Sequence, residues 1–370
     1  MKGFRVSGHG GPEALEWGDW PEPVAGPGEV RVRVRACALN HLDLWLRNGV
    51  PGHRFPLPLI PGSEVAGDVE STGAGVDDLA PGEPCLVAPG VSCGRCDFCA
   101  AGEDHLCDRY GLLGEHRDGG YSEFVVVPRR NVLPLPLGLS YVEAAAGPLV
   151  FLTAWHMLAV RAALRRNEDV LIQAAGSGVS SAGIQIAREL GARRIFATAG
   201  SAAKLEKARD LGATHTFNYR DEDFVRGIKE ATGGRGVDVV FDHVGGETFE
   251  RSLRALARGG RIVLCGATSG GEAKVNLRAI FFKSLSIVGS TMGSLGELRQ
   301  ILHGFERDVF RPIVAATFPL EEARAAQEAL ASRAHFGKIV LTVGADADAA
   351  PRPHFRADAD ILFAGKKASA

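Results

Sequence analysis

Between Asp169 and Gly289 the chain repeats one unit: an apolar run of strand length, a turn, and an amphipathic helix. Asp169 to Gln173 precedes Ala182 to Leu190, Arg194 to Ala199 precedes Ala202 to Leu211, and Val237 to Asp242 precedes Thr248 to Ala257. Arg261 to Cys265 and Leu285 to Gly289 add two further strands. Apolar strands joined through helices predict a parallel sheet with helices on both faces, because parallel neighbours need long crossovers and both sheet faces must be covered.

The flanks read differently. Residues 1 to about 129 alternate short β-type runs, Glu29 to Ala36, Gly67 to Ser71, Pro84 to Ala88 and Ser122 to Val127, with Gly/Pro turns, the pattern of a twisted β domain. Near the other end, helices Leu295 to Arg307 and Leu320 to Ser332 lead to a last strand, Lys338 to Val343. Lacking a sheet of its own, this stretch is expected to pack back on the first domain. The expected α/β organisation is therefore a discontinuous β domain (1–129 with 291–344) and a doubly wound parallel sheet (130–290). Beyond Gly344 the Ala-Asp run has no periodicity, so 345–370 reads as a disordered tail. A chain of 370 residues, 45% of them apolar, is long enough for two cores.

Balanced charge, 42 basic against 44 acidic residues with no long basic run, disfavours a nucleic-acid partner. Gly147, Pro148 and His156 interrupt the apolar stretch Ala144 to Val160, which falls short of the roughly 20 residues a membrane span needs. The start, Met1-Lys2-Gly3-Phe4-Arg5-Val6, reads as a strand and not a signal sequence, so a cytoplasmic location is expected. The implied partner is a small-molecule substrate. An apolar strand at the sheet edge, Leu285 to Gly289, predicts a homodimer or homotetramer in which a second subunit covers it.

Four of the seven cysteines crowd into Cys93-Gly-Arg-Cys96-Asp-Phe-Cys99-Ala-Ala-Gly-Glu-Asp-His-Leu-Cys107. Four thiolates at this spacing saturate a tetrahedral zinc and leave no position for water or substrate, so one structural zinc is expected, with an iron–sulfur cluster as the alternative. Cys37, Cys85 and Cys265 remain.

Strand Val170-Leu-Ile-Gln173 runs into Ala174-Ala-Gly176-Ser177-Gly178-Val179-Ser180 and then a helix. Gly176, Ser177, Gly178 and Val179 are the candidate phosphate-turn residues, with backbone N–H groups at the helix start facing a pyrophosphate; serine replaces the third glycine of that turn. After the second strand, where an acid would hold the ribose 2′-OH of NAD, stands Thr198-Ala-Gly200-Ser201-Ala-Ala-Lys204. No carboxylate and a nearby cation favour NADP(H) over NAD(H); the alternative leaves Lys204 as a solvated helix residue.

Taken together, Asn40-His-Leu-Asp43-Leu-Trp45-Leu-Arg47-Asn-Gly49, Pro61-Gly62-Ser63-Glu64-Val65-Ala66-Gly67, the cysteine lobe, Gly119-Gly120-Tyr121-Ser122-Glu123-Phe124, the glycine turn and Phe336-Gly337-Lys338 resemble the medium-chain dehydrogenase/reductase superfamily over residues 1–344. The first of these segments is similar to its quinone oxidoreductase branch. The resemblance implies a GroES-like domain followed by a Rossmann domain, with substrate and nicotinamide between them. It places Ser201, Lys204 and Tyr219 at positions that contact the 2′-phosphate, and Lys338 on the cofactor side.

The zinc-dependent alcohol dehydrogenase branch holds a second, catalytic zinc. Cys37 and Glu64 match that pattern, but Ser63 stands in place of histidine, Leu149 in place of the third ligand, and Leu39 in place of the relay hydroxyl. His41, His53 and Asp43 are the candidate replacement ligands. Without Lewis-acid assistance the expected reaction is hydride transfer to an already electrophilic quinone or enone. Asn40 is the candidate hydrogen-bond donor to its oxygen, Trp45 a flat wall, and Asp43 a cleft or capping residue. Two other readings stay open: an alcohol or aldehyde dehydrogenase with unusual metal ligands, and an NADPH-binding protein without turnover.

Overall fold

A computed structural model describes residues 1–344; the expected tail lies outside the described residues. Six strands, Asp169–Ile172, Arg194–Ala199, His215–Asn218, Val237–Asp242, Leu256–Leu264 and Ser286–Gly289, form one parallel sheet. Counted along the sequence, their spatial order is third, second, first, fourth, fifth, sixth. The order reverses at the first strand, where Val170 faces Ile195 on one side and Val239 on the other. The crevice beyond the carboxyl ends at such a reversal is where open α/β sheets bind ligands. Val170, Leu171 and Ile172 are fully buried, as expected of a strand covered on both faces.

The other main sheet has seven strands. Its centre is Glu29–Ala38, where Val30, Val32 and Val34 are buried while Arg31, Arg33 and Arg35 point to the opposite face, the period of two that pleating dictates. This strand pairs antiparallel with Glu64–Thr72, Phe124–Pro128 and, at its carboxyl end, Lys338–Thr342. The return of Lys338–Thr342 puts Lys338 beside Asn40, and Gly337 N donates to Gly176 O at 3.0 Å. One short segment thus touches both the loop at Asn40 and the glycine turn.

Several details differ from the sequence reading, among them the edge strand His215–Asn218 of the parallel sheet, which carries no apolar run. Val132–Pro134 pairs with Pro84–Val87, so the first sheet runs past the expected boundary at 129. Val314–Pro319, partly exposed along its length, pairs parallel with Lys338–Thr342 as a sheet edge. Helix Leu295–Glu306 lies on helix Pro148–Trp155, with the Phe151 and Phe305 rings 4.9 Å apart, and not on the N-terminal sheet. No helix among the described residues is long and apolar enough to cross a membrane.

Candidate active site and cysteine lobe

Where strand Glu29–Ala38 ends, Asn40 caps helix His41–Asn48. Asp43, one turn later, turns back so that its Oδ2 accepts from Asn40 N at 2.8 Å and from the Tyr121 hydroxyl at 3.1 Å. Asp43 is fully buried, and burial pushes its carboxyl up to about 6 even though these donors and Lys338 favour the charged form. It therefore positions Asn40 and does not face the cleft.

The Asn40 amide is held on both sides. Its Oδ1 accepts from Lys338 Nζ at 2.6 Å, and its Nδ2 donates to Glu64 Oε2 at 3.0 Å. Lys338 Nζ also meets Leu39 O at 2.5 Å and Glu64 Oε2 at 2.6 Å, so each ammonium proton has an acceptor. The second Glu64 oxygen accepts from Leu149 N at 2.8 Å. Glu64 is fully buried and Lys338 is 5% exposed. Carboxylate, ammonium, amide and backbone N–H form a closed network, the condition for burying charges stably.

Cys37, beside this network, is shut in. A Cβ added at Gly62 or Gly120 would lie 2.7 or 2.8 Å from its Sγ, and burial drives the thiol well above its ordinary range. Ser63 Oγ donates to Leu113 O at 2.7 Å. His53 turns to Glu115, Nε2 to Oε1 at 3.4 Å, while the half-buried His41 ring meets Trp45 edge-on at 5.1 Å. His41 and Trp45 share one helix face.

At the glycine turn, two lysine stems cross the backbone. A Cβ at Gly176 would stand 2.9 Å from Lys204 Cδ, and one at Gly178 would stand 2.6 Å from Lys338 Cδ. At Gly178 the obstacle is the buried, pinned Lys338 stem, which a Cβ could not displace cheaply, whereas at Gly176 it is the flexible Lys204 chain. Helix Gly178–Glu189 starts with Ser177 as its cap, Oγ accepting from Ser180 N at 3.1 Å, and half-buried Val179 packs on the core. Below the turn a polar chain fixes its shape: Thr198 Oγ1 accepts from Ala174 N and donates to Gln173 Oε1, Gln173 Nε2 donates to Ser252 Oγ, and Ser252 donates to Asp242 Oδ2. Ser181, in place of a glycine, folds its hydroxyl onto Gly178 O at 2.9 Å.

Ser201 stands at the N-cap position of helix Ala202–Leu211, just past the second strand, with no capping hydrogen bond from its side chain. A Cβ at Gly200 would be 2.8 Å from the Tyr219 hydroxyl and 3.1 Å from Arg220 Nε. Ser201, Lys204 and Tyr219 thus gather at one end of the turn, joined by Arg220, which the sequence reading missed. Arg333 was missed too; its carbonyl accepts from Lys204 Nζ at 2.5 Å. Burial, and then Arg220, lower the Lys204 pKa.

The four cysteine Sγ atoms of the lobe lie within 4.8 Å of one another, with Cys93–Cys99 at 4.0 Å and Cys96–Cys99 at 3.5 Å. A tetrahedron with metal–sulfur distances of about 2.3 Å has edges of about 3.8 Å, so this set fits one zinc. Cys93 N and Arg109 N donate to Cys107 Sγ and Gly94 N to Cys99 Sγ, each at 3.3 Å, as thiolates require. The lobe is fastened to helix Leu295–Glu306: Asp104 Oδ1 accepts from Leu295 N at 3.0 Å, and His105 packs edge-on against His156, which binds Glu297 at 2.9 Å. Among the described residues this is the one cluster of three or more His, Cys, Asp or Glu close enough to share a metal.

Family models match two segments, an alcohol dehydrogenase GroES-like domain over residues 26–137 and a zinc-binding dehydrogenase over residues 178–307. A quinone oxidoreductase of Pseudomonas aeruginosa is 33% identical over 352 residues, covering 92% of this chain and 99% of the relative. An NAD-dependent alcohol dehydrogenase of Sulfolobus acidocaldarius is 32% identical over 352 residues, covering 93% and 100%. The crystal structure of an NAD-dependent alcohol dehydrogenase superposes with a TM-score of 0.90 at 49% identity, covering 93% of this chain and all of that one. With a GroES-like sheet, a Rossmann sheet and full-length relatives of both branches, the chain is an oxidoreductase belonging to the medium-chain dehydrogenase/reductase superfamily.

Proposed function

We propose that this enzyme transfers hydride from NADPH to a quinone, enone or similar conjugated carbonyl without a catalytic metal. The observation that carries the reading is the state of the residues that would hold such a metal. Glu64 is closed on Lys338, Asn40 and Leu149 N, Cys37 is sealed between Gly62 and Gly120, and Ser63 donates to a backbone carbonyl. One thiol and one neutralised carboxylate do not fit a zinc site that needs three protein ligands and an open position.

The dinucleotide, by contrast, fits. Gly176, Ser177, Gly178 and Val179 would hold its pyrophosphate, with two lysine stems over the turn; Ser201, Lys204, Tyr219 and Arg220 supply donors and cations for a 2′-phosphate. When bound, the reduced nicotinamide supplies the hydride. The chain supplies alignment: Lys338 and Glu64 fix the Asn40 amide, and Trp45 with His41, the two rings edge-on, forms an aromatic rim. One Asn40 Nδ2 proton goes to Glu64 Oε2 at 3.0 Å and the other lies toward Ala38 O at 3.4 Å, so reaching a substrate oxygen means giving up the longer of these contacts, and the role of Asn40 is positioning first. Zinc in the cysteine lobe would close that fold without touching substrate. We further propose a homodimer through Ser286–Gly289, flanked by Phe281 and Phe282, which are 63% and 67% exposed.

A second reading, NAD-dependent alcohol oxidation, is favoured by the names of the Sulfolobus relative and the 49%-identical structure. One experiment separates them: metal content per chain, together with loss of reduced-nicotinamide absorbance against panels of quinones and enones and its gain with oxidised cofactor and a panel of alcohols. One zinc and NADPH-dependent reduction support the proposal; two zincs with NAD-dependent alcohol oxidation overturn it. NADPH binding with no turnover of any acceptor or alcohol would instead support a binding protein.

A further inference from the structure

The glycine-helix cap carries a histidine that the dinucleotide motif does not require. Ser180 donates its hydroxyl proton to Gln173 O at 2.7 Å, so its Oγ meets His243 Nε2, 3.1 Å away, as an acceptor. His243 therefore carries a proton on Nε2. That N–H also lies 2.9 Å from Ser177 Oγ, which already accepts from Ser180 N at 3.1 Å. The one Nε2 proton is thus shared between the two serine oxygens, and with it and the Ser180 N–H both directed at the Ser177 oxygen, the Ser177 hydroxyl proton has no protein acceptor among the described residues. It stands at the helix start, beside the first-turn N–H groups, where an anion is stabilised.

We propose that His243 is a positioning residue that locks Ser177 as a hydroxyl donor to the pyrophosphate of the bound dinucleotide, an inference that rests on the cofactor reading above. Two further observations fit it. His243 is 9% exposed on the loop leaving the fourth Rossmann strand, where Asp242 Oδ1 accepts from Val244 N and Gly245 N and so holds the loop. Burial depresses the imidazole pKa, which keeps the ring neutral and the donor pattern intact at pH 7. Because the pyrophosphate is common to both nicotinamide cofactors, this contact strengthens binding without choosing between them.

The test is a set of dissociation constants for NADH, NADPH and ADP-ribose on Ser177→Ala, His243→Ala, the double variant and His243→Gln, with adenosine 2′-monophosphate as the probe without a pyrophosphate. Each alanine variant is expected to weaken the three pyrophosphate ligands about tenfold, the worth of one hydrogen bond to a charged group. The double variant should be no weaker than about the single ones, since His243 acts through Ser177. His243→Gln, which restores an N–H donor, should recover binding to within about threefold, and the pyrophosphate-free probe should bind all variants alike. Retention of wild-type affinity in His243→Ala, or losses that multiply to about a hundredfold in the double variant, would overturn the inference alone. Wild-type protein that binds none of the dinucleotides would overturn the cofactor reading with it.

Discussion

Lys338→Met tests whether an ammonium holds the place of a catalytic metal. It removes the positive partner of a fully buried carboxylate, Glu64 Oε2, 2.6 Å from Lys338 Nζ. At an effective dielectric near 20 that separation corresponds to about 6 kcal/mol of attraction, much of it offset by taking both ions out of water. Removing one partner leaves the other uncompensated, which typically costs about 3 to 5 kcal/mol. Asn40 Nδ2 and Leu149 N still donate to Glu64, so the lower figure, about 3 kcal/mol, is expected. Adding Glu64→Gln removes the stranded charge while keeping an acceptor for Leu149 N, and should return about 2 kcal/mol. Urea unfolding of the four proteins at pH 7 closes the double-mutant cycle. A coupling below about 0.5 kcal/mol would refute the closed pair. So would a second zinc in the wild-type protein, because Glu64 cannot serve both partners.

Cys96→Ser should take zinc from one per chain to none and lower the melting temperature by several degrees, read by metal analysis and thermal unfolding; in the fraction still folded, hydride transfer should persist. Lys204→Ala with Arg220→Ala should raise the dissociation constant for NADPH about tenfold or more while changing that for NADH less than about twofold, measured by fluorescence titration. Asp43 holds its proton more tightly folded than unfolded, its pKa rising to about 6. Its contribution to stability is therefore complete below the unfolded value near 4 and is lost as pH rises through about 6. Asp43→Asn should flatten the stability profile across that window by roughly 3 kcal/mol, and an unchanged slope in urea unfolding would count against a protonated Asp43. Ile287→Lys, placed on the exposed edge strand, should convert the proposed dimer to monomers by sedimentation; wild-type protein that is already monomeric, or a variant that stays dimeric, would count against that interface.

What the chain disclosed in advance follows from burial. Central strands such as Asp169–Ile172 and Val237–Asp242 carry fully buried apolar runs, residues 170–172 and 239–241, and are readable. His215–Asn218 and Val314–Pro319 are edge strands, partly exposed along their lengths, and carry no such run. Val132–Pro134 is too short for periodicity to register. The cysteine spacing located its site because the ligands are local in sequence. Asn40, Asp43 and Lys338 could be named from motif segments, but not their roles: Leu149 N reaches Glu64 across 85 positions and Lys338 reaches Asn40 across 298. Arg220 and His243 belong to no spacing pattern; only the packing of Gly200 on Tyr219 and of Ser177 on His243 exposes them.

Burying Glu64 sets a problem that the rest of the site must answer, since an isolated carboxylate cannot remain charged in an apolar interior. A metal with three protein ligands is one answer. Here position 63 carries a serine whose hydroxyl is engaged by Leu113 O, and position 149 offers a backbone N–H where a ligating side chain would be needed. The answer arrives instead on the returning strand Lys338–Thr342, whose first residue brings an ammonium with three acceptors waiting. An ammonium with all three protons engaged cannot also polarise a substrate carbonyl. On the proposed reading, the electrophilicity that a Lewis acid would lend must then reside in the substrate itself, and a conjugated acceptor, which delocalises the incoming charge, meets that condition where a simple aldehyde does not.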